Sequence, residues 1–147
     1  MKRFFAVVLA LFAGLLFGGA VFSADLDLSG TWNFTISNTQ VSGPCPVGPN
    51  SSGVCTITQT GDQFRLAFVE GRICRPASLC TYEGTISGKE YNASNSAHVD
   101  NEGGKVTNTI VFNASSANAA SGNGTSTYSH PGGMKCDWRF DFSIQKQ

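Results

Sequence analysis

The sequence predicts an all-β domain, an eight-stranded antiparallel up-and-down β-barrel. Segments in which apolar and polar residues alternate recur at short intervals, and each is bounded by Gly, Asn, Asp or Ser. Beyond residue 23 the apolar residues do not recur at the spacing of about 3.6 residues that would indicate a helix. Consecutive strands with short links can close on themselves and leave no exposed edge. A two-sheet β-sandwich is the alternative, and longer crossover links would be its sign.

The first four strands are predicted over residues 30–37, 54–60, 63–69 and 80–86. In the first, Trp32, Phe34 and Ile36 share one face, and polar residues share the other. The dipeptide Gly61-Asp62 between the second and third strands is typical of a tight hairpin. The third strand again alternates apolar with polar residues, so one face of each strand is predicted to be buried.

The last four strands are predicted over residues 89–97, 105–113, 121–129 and 136–144. Ser87-Gly88 forms the turn into the fifth strand, and residues 130–133, His-Pro-Gly-Gly, force a turn before the eighth. The eighth is the clearest, because apolar residues alternate with polar ones without a break from Cys136 to Ile144. This alternation indicates one buried face and one solvated face.

The first 23 residues predict a cleaved secretory signal peptide. Lys2 and Arg3 precede an apolar run over residues 4–22, and the small residues Ser23 and Ala24 follow it. An uncleaved membrane span is the alternative, because the run is close to the length that crosses a bilayer. We expect residues 24–147 to form one soluble bacterial-type domain, secreted to the periplasm or the exterior.

The charge of the expected mature chain argues against two classes of partner. Removal of Lys2 and Arg3 leaves eight basic residues against ten acidic ones, and no basic run remains. Electrostatic binding to nucleic acid or to an anionic membrane needs a basic surface. We therefore expect no nucleic-acid partner, and no membrane association after cleavage.

Five cysteines in an exported chain predict disulfides and one unpaired thiol. In an up-and-down barrel the links after strands 1, 3, 5 and 7 share one rim, and we expect all the cysteines there. Cys74 and Cys80 lie at the two ends of a short loop in the third link, so a disulfide between them would hold the ends of a hairpin together. Barrel closure sets strand 8 beside strand 1, which predicts Cys45–Cys136 as the second pair and leaves Cys55 free.

Two further possibilities for the cysteines stay open at this point. A Cys45–Cys55 disulfide would close the first link on itself, and it competes with Cys45–Cys136. A lone rim thiol, at Cys55 or Cys136, would permit a disulfide-linked dimer instead of a monomer.

Charged residues are also predicted at the cysteine-bearing rim. The candidates are Arg72, Arg75, His98, His130 and Lys135. The two arginines and the lysine could receive a carboxylate or another anion, although loop charges are usually only solvated. The chain has no C-x-x-C or H-x-x-x-H spacing, so we expect no metal site and no cofactor.

The start of the first strand resembles that of a known group of barrels. Gly30-Thr31-Trp32 resembles the G-x-W signature of lipocalins and the similar opening of avidin-like proteins. A short bacterial lipocalin-like (calycin-type) barrel is the nearest resemblance. It implies that Trp32, with Gly30, is structural and plugs the closed end of the barrel.

The inward-facing apolar residues suggest a binding function. Candidate pocket residues are Phe34, Phe64, Leu66, Phe68, Tyr82, Tyr91, Phe112, Trp138 and Phe140. Such a lining suits a small apolar ligand, so we expect a secreted, non-enzymatic carrier of the lipocalin-like type. The same side chains could instead fill the barrel.

Two other classes of function are alternatives to the carrier. A cell-envelope or extracellular module, such as an inhibitor, would bind a protein partner through the disulfide-braced rim loops. An enzyme is not expected, because the carboxylates are scattered and neither G-x-S-x-G nor H-E-x-x-H occurs.

Overall fold

A computed structural model of the chain describes residues 26–147. The predicted signal peptide over residues 1–23 lies outside the described residues. Eight antiparallel strands follow one another around a closed barrel, and β1 pairs with both β2 and β8. The strands are β1 (Gly30–Ser42), β2 (Ser51–Thr60), β3 (Gln63–Glu70), β4 (Thr81–Ser87), β5 (Glu90–His98), β6 (Lys105–Ser116), β7 (Ala119–Ser129) and β8 (Lys135–Lys146). The predicted up-and-down barrel is confirmed, and the sandwich alternative is wrong.

The first strand is longer than its sequence pattern indicates. Beyond Ser37 it pairs with β8 alone, after an irregularity in register between Ser37 and Gln40. Asn38 in this irregularity has a φ of 53°, a backbone conformation that Asn adopts more readily than most residues. Apolar alternation stops there, so the sequence signal ends before the strand does. A short 3-10 helix, Ala77–Cys80, lies between β3 and β4.

One end of the barrel is closed by the segment that precedes β1. The fully buried Trp32 donates its indole Nε1–H to the Leu28 carbonyl oxygen at 2.8 Å. The Tyr91 hydroxyl donates to the Leu26 carbonyl, and the Lys146 ammonium lies 5.4 Å from the centre of the Trp32 ring. Trp32 therefore lies at the closed end of the barrel.

Aromatic rings fill the interior above this closed end. Tyr91 and Phe112 stack with their ring centres 5.1 Å apart, and Phe64 meets both rings edge-on. The rings of Phe34 and Phe68 meet edge-on at 4.6 Å. All these side chains are almost completely shielded from solvent. This part of the barrel is a packed core in which ring edges contact ring faces.

None of the helices in residues 26–147 is long and apolar enough to cross a membrane.

Candidate functional site

The end of the barrel opposite Trp32 carries the links that alternate around its rim. They are link 1 (43–50), link 3 (71–80), link 5 (99–104) and link 7 (130–134). Two disulfides brace this open end, with Cα–Cα separations of 6.0 Å for Cys45–Cys136 and 5.5 Å for Cys74–Cys80. Both predicted pairs are confirmed, and the Cys45–Cys55 alternative is wrong. Two disulfides fit an oxidising compartment.

Cys55 is the free cysteine, as predicted, but the prediction that it lies at the rim is wrong. Strand β2 starts at Ser51, so Cys55 lies inside the barrel, opposite Trp32 in β1 and Phe68 in β3. Its burial raises the pKa of the thiol to about 12, so the thiol stays protonated at neutral pH. A disulfide-linked dimer through Cys55 would require exposure of this buried side chain.

A pocket of about 730 Å³, here called the mouth pocket, opens between the rim links. Its wall inside the barrel includes the side chains of Ile36, Val106, Trp138 and Phe140. Residues 48–52 and 71–73 of the neighbouring links and of the start of β2 form its edge. These apolar side chains come from β1, β6 and β8, so the closed sheet itself shapes the pocket.

Local packing fixes the two aromatic walls of the mouth pocket. Trp138 donates its indole N–H to the Pro46 carbonyl at 2.9 Å, which fastens link 1 to β8 beside the Cys45–Cys136 disulfide. The ring of Phe140 lies across Gly124 on β7, where a Cβ atom would fall 2.1 Å from the ring carbon Cε2. The wall formed by Phe140 therefore depends on glycine at that position.

Two side-chain amides, of which only Asn108 is fully buried, hold link 3 over one side of the barrel and leave the other side open. The Asn95 side chain donates to the carbonyls of Leu79 and Thr81, both at 2.8 Å. Asn108, itself buried, donates to the Asn95 side-chain oxygen at 2.8 Å. Leu79 of the 3-10 helix is buried as a result. The helix packs against β3, β4 and β5, whereas the mouth pocket lies toward β1 and β8.

Arg72 is the charged residue that lines the mouth pocket. Its guanidinium carbon lies 5.2 Å from the centre of the Phe68 ring, at a distance typical of a cation–π contact. Within residues 26–147 it has no carboxylate partner. Two buried hydroxyls, those of Thr39 and Tyr82, have no hydrogen-bond partner among the same residues. Burial raises the pKa of Tyr82, and the positive charge of Arg72 opposes that shift.

The predicted pocket residues separate into two groups. Trp138 and Phe140 line the mouth pocket. The others belong to the packed interior and not to this lining: Phe34, Phe64, Leu66, Phe68, Tyr82, Tyr91 and Phe112. The sequence-based candidates missed Val106 and Thr39, and they omitted Ile36 although its inward face was recognised. The available signal was that these residues lie near the strand ends adjoining links 1 and 5.

The remaining rim candidates lie at the open end but outside the mouth pocket. They are Arg75, His98, His130 and Lys135. His130 Nε2 lies 3.5 Å from a Glu102 carboxylate oxygen, and Lys135 Nζ lies 3.2 Å from an Asp137 carboxylate oxygen. In the part of the chain that the structure describes, no group of three or more His, Cys, Asp or Glu side chains is placed to hold a metal ion.

Comparison of the chain with protein-family models, with curated proteins and with solved structures finds no match.

Proposed function

We propose that this protein is an exported, non-enzymatic carrier of a small, largely apolar ligand, of the lipocalin-like type. The observation that carries the proposal is the mouth pocket, walled by Ile36, Val106, Trp138 and Phe140. Its volume falls within the range of small-molecule sites, which are mostly apolar with a few polar groups. Because the interior below it is packed, the ligand would bind at the open end. The two disulfides and the predicted signal peptide support action in the periplasm or outside the cell.

The composition of the pocket supports binding without chemistry. Its lining contains the guanidinium of Arg72 but no carboxylate, imidazole or thiol. General acid–base catalysis needs a proton donor or acceptor within hydrogen-bond reach of the reacting atoms. An arginine stays protonated and cannot fill that role.

A large side chain placed in the mouth pocket should weaken ligand binding strongly. Val106 on β6 lines the pocket, so Val106→Trp would occupy the space that the ligand needs. We expect the affinity for the neutral fluorescent probe N-phenyl-1-naphthylamine to fall by at least about tenfold, which corresponds to about 1.4 kcal/mol. Fluorescence titration of the purified mature protein measures this.

The matched control lies on the same strand. Val111 belongs to β6 but is not among the residues that line the mouth pocket, and its partner Asn123 is exposed. Val111→Trp should bind the probe like the unaltered protein, with circular dichroism verifying that both variants fold. A protein that binds no probe, or a Val106→Trp variant that binds it as well as the control, would refute the carrier.

A protein-binding module is the second candidate, and one observation favours it. Ile73 on link 3 is 87% exposed, Val47 on link 1 is 60% exposed, and Met134 on link 7 is 45% exposed. Large apolar side chains on one rim are typical of a protein-interaction surface when they form a continuous patch. Failure of the protein to bind any apolar probe would favour this candidate over the carrier.

A further inference from the structure

We propose that the ligand of the mouth pocket is an organic monoanion, an apolar body bearing one carboxylate or a comparable anionic group, and that Arg72 binds this group. The apolar body would pack against Ile36, Val106 and Phe140. This inference rests on the proposed carrier function and names the chemical class of its ligand. It distinguishes this pocket from a site that prefers neutral apolar molecules.

The cation at the pocket edge is held in place by the fold. Arg72 lies over Phe68, which is anchored in the packed interior by its contact with Phe34. Gly71, the preceding residue, has a φ of 77° and packs so closely on the neighbouring chain that a Cβ atom would fall 2.0 Å from the Ser52 carbonyl oxygen. The Cys74–Cys80 disulfide then braces the rest of link 3. The guanidinium is thus positioned by its surroundings before any ligand arrives.

The charge of Arg72 is not neutralised by the described part of the chain. The ion pairs there are Arg65–Glu83, His130–Glu102 and Lys135–Asp137, and Arg72 takes part in none of them. Arg72 is also half-buried, and the pocket that it faces has no acidic side chain in its lining. A partly desolvated cation without a counter-ion favours the binding of an anion. The planar guanidinium can hold a carboxylate through two parallel hydrogen bonds.

A second polar group lies in the same lining. Thr39 lines the mouth pocket, and its hydroxyl oxygen is shielded from solvent without a hydrogen-bond partner in residues 26–147. A buried hydroxyl without a partner costs free energy, and rotation of the Thr39 side chain toward the pocket would let it donate to a bound anion. The lining therefore combines one cation, several uncharged polar side chains that include Thr39, and apolar walls. That combination is complementary to an amphipathic acid.

The test compares decanoate with 1-decanol, which have the same chain length and differ in charge. Each competes with N-phenyl-1-naphthylamine for the mature protein at pH 7.5 and low ionic strength. We expect decanoate to bind at least about tenfold more tightly than decanol, because charge-assisted hydrogen bonds are stronger than neutral ones. Arg72→Gln should remove this preference, so that decanoate and decanol bind the variant with similar affinities.

The matched control is Arg75→Gln, since Arg75 is exposed on the same link and is not among the residues that line the pocket. This variant should keep the preference for decanoate. If Arg72→Gln does not fold, the test uses the unaltered protein at increasing ionic strength. Its preference for decanoate over decanol should shrink as ionic strength rises. Equal binding of acid and alcohol, or equal effects of the two substitutions, would overturn the anion site alone. Failure of the native protein to bind the neutral probe would overturn the carrier function itself.

Discussion

Removal of the Cys45–Cys136 disulfide, which joins residues 91 positions apart, is expected to lower the free energy of unfolding by roughly 4.5 kcal/mol. Because of this separation, the bond constrains most of the unfolded chain. It also fastens link 1 to the start of β8, next to the seam where β8 pairs with β1. The double variant Cys45→Ser/Cys136→Ser, unfolded in urea without reductant, measures the loss.

The second disulfide provides the control for this prediction. Cys74–Cys80 spans a sequence separation of 6, so its removal relaxes the unfolded chain far less. Cys74→Ser/Cys80→Ser should lose only about 2 kcal/mol by the same entropic reasoning. Equal losses, or a larger loss for the short loop, would contradict the account in which each disulfide stabilises the fold by restricting the unfolded chain.

Truncation of Phe112 should cost a similar amount of stability. Its ring is completely buried and packs against Tyr91, Phe64 and Phe142. Phe112→Ala removes this ring and leaves a cavity, and such substitutions cost about 3 to 5 kcal/mol. Urea or thermal unfolding of the variant measures the change in the free energy of unfolding.

The comparison variant for Phe112 is Ile73→Ala on link 3. Ile73 is 87% exposed, and substitutions of exposed residues usually change stability by less than about 0.5 kcal/mol. If Phe112→Ala lowered the free energy of unfolding as little as Ile73→Ala does, the barrel interior around Phe112 would not be packed. A ligand could then occupy the whole barrel rather than the mouth pocket.

The barrel was predictable from the sequence because its signals are local. Alternation with a period of two residues marks each strand, as in the run from Cys136 to Ile144, and turn residues such as Gly61-Asp62 mark the connections. The number of strands and their consecutive order along the chain then predict a closed up-and-down barrel. The Cys45–Cys136 pair followed from that topology, because closure brings link 1 to the start of β8.

The depth of Cys55 was not predictable in the same way. Its position inside the barrel depends on where β2 begins and on its register, in which Trp32 is paired with Cys55. Residues 51–53 are Ser, Ser and Gly, which carry no apolar alternation to mark the start of a strand. The start of β2 is set by its pairing with β1 and β3. This pairing exists only in the assembled sheet, so the local sequence does not reveal it.

The site was only partly predictable for a related reason. Alternation shows which residues face inward, but it does not show how much of the interior their side chains fill. Phe112 and Phe140 both face inward and both belong to the buried core, yet only Phe140 also lines the mouth pocket. The boundary between these regions depends on contacts across strands, including the pair of Asn95 with Asn108 that holds link 3 to one side. Arg72 was predicted at the rim as an anion-binding candidate, and the structure places it in the pocket lining.

The chain has two tryptophans, and they lie at opposite ends of the barrel. Trp138 lines the mouth pocket, whereas Trp32 is buried at the closed end. Nuclear magnetic resonance of the ¹⁵N-labelled protein resolves their indole N–H signals, which the variant Trp138→Phe assigns. On titration with N-phenyl-1-naphthylamine, the Trp138 signal should shift progressively while the Trp32 signal stays in place. A shift of the Trp32 signal alone, or no shift of either signal, would contradict ligand binding at the mouth pocket.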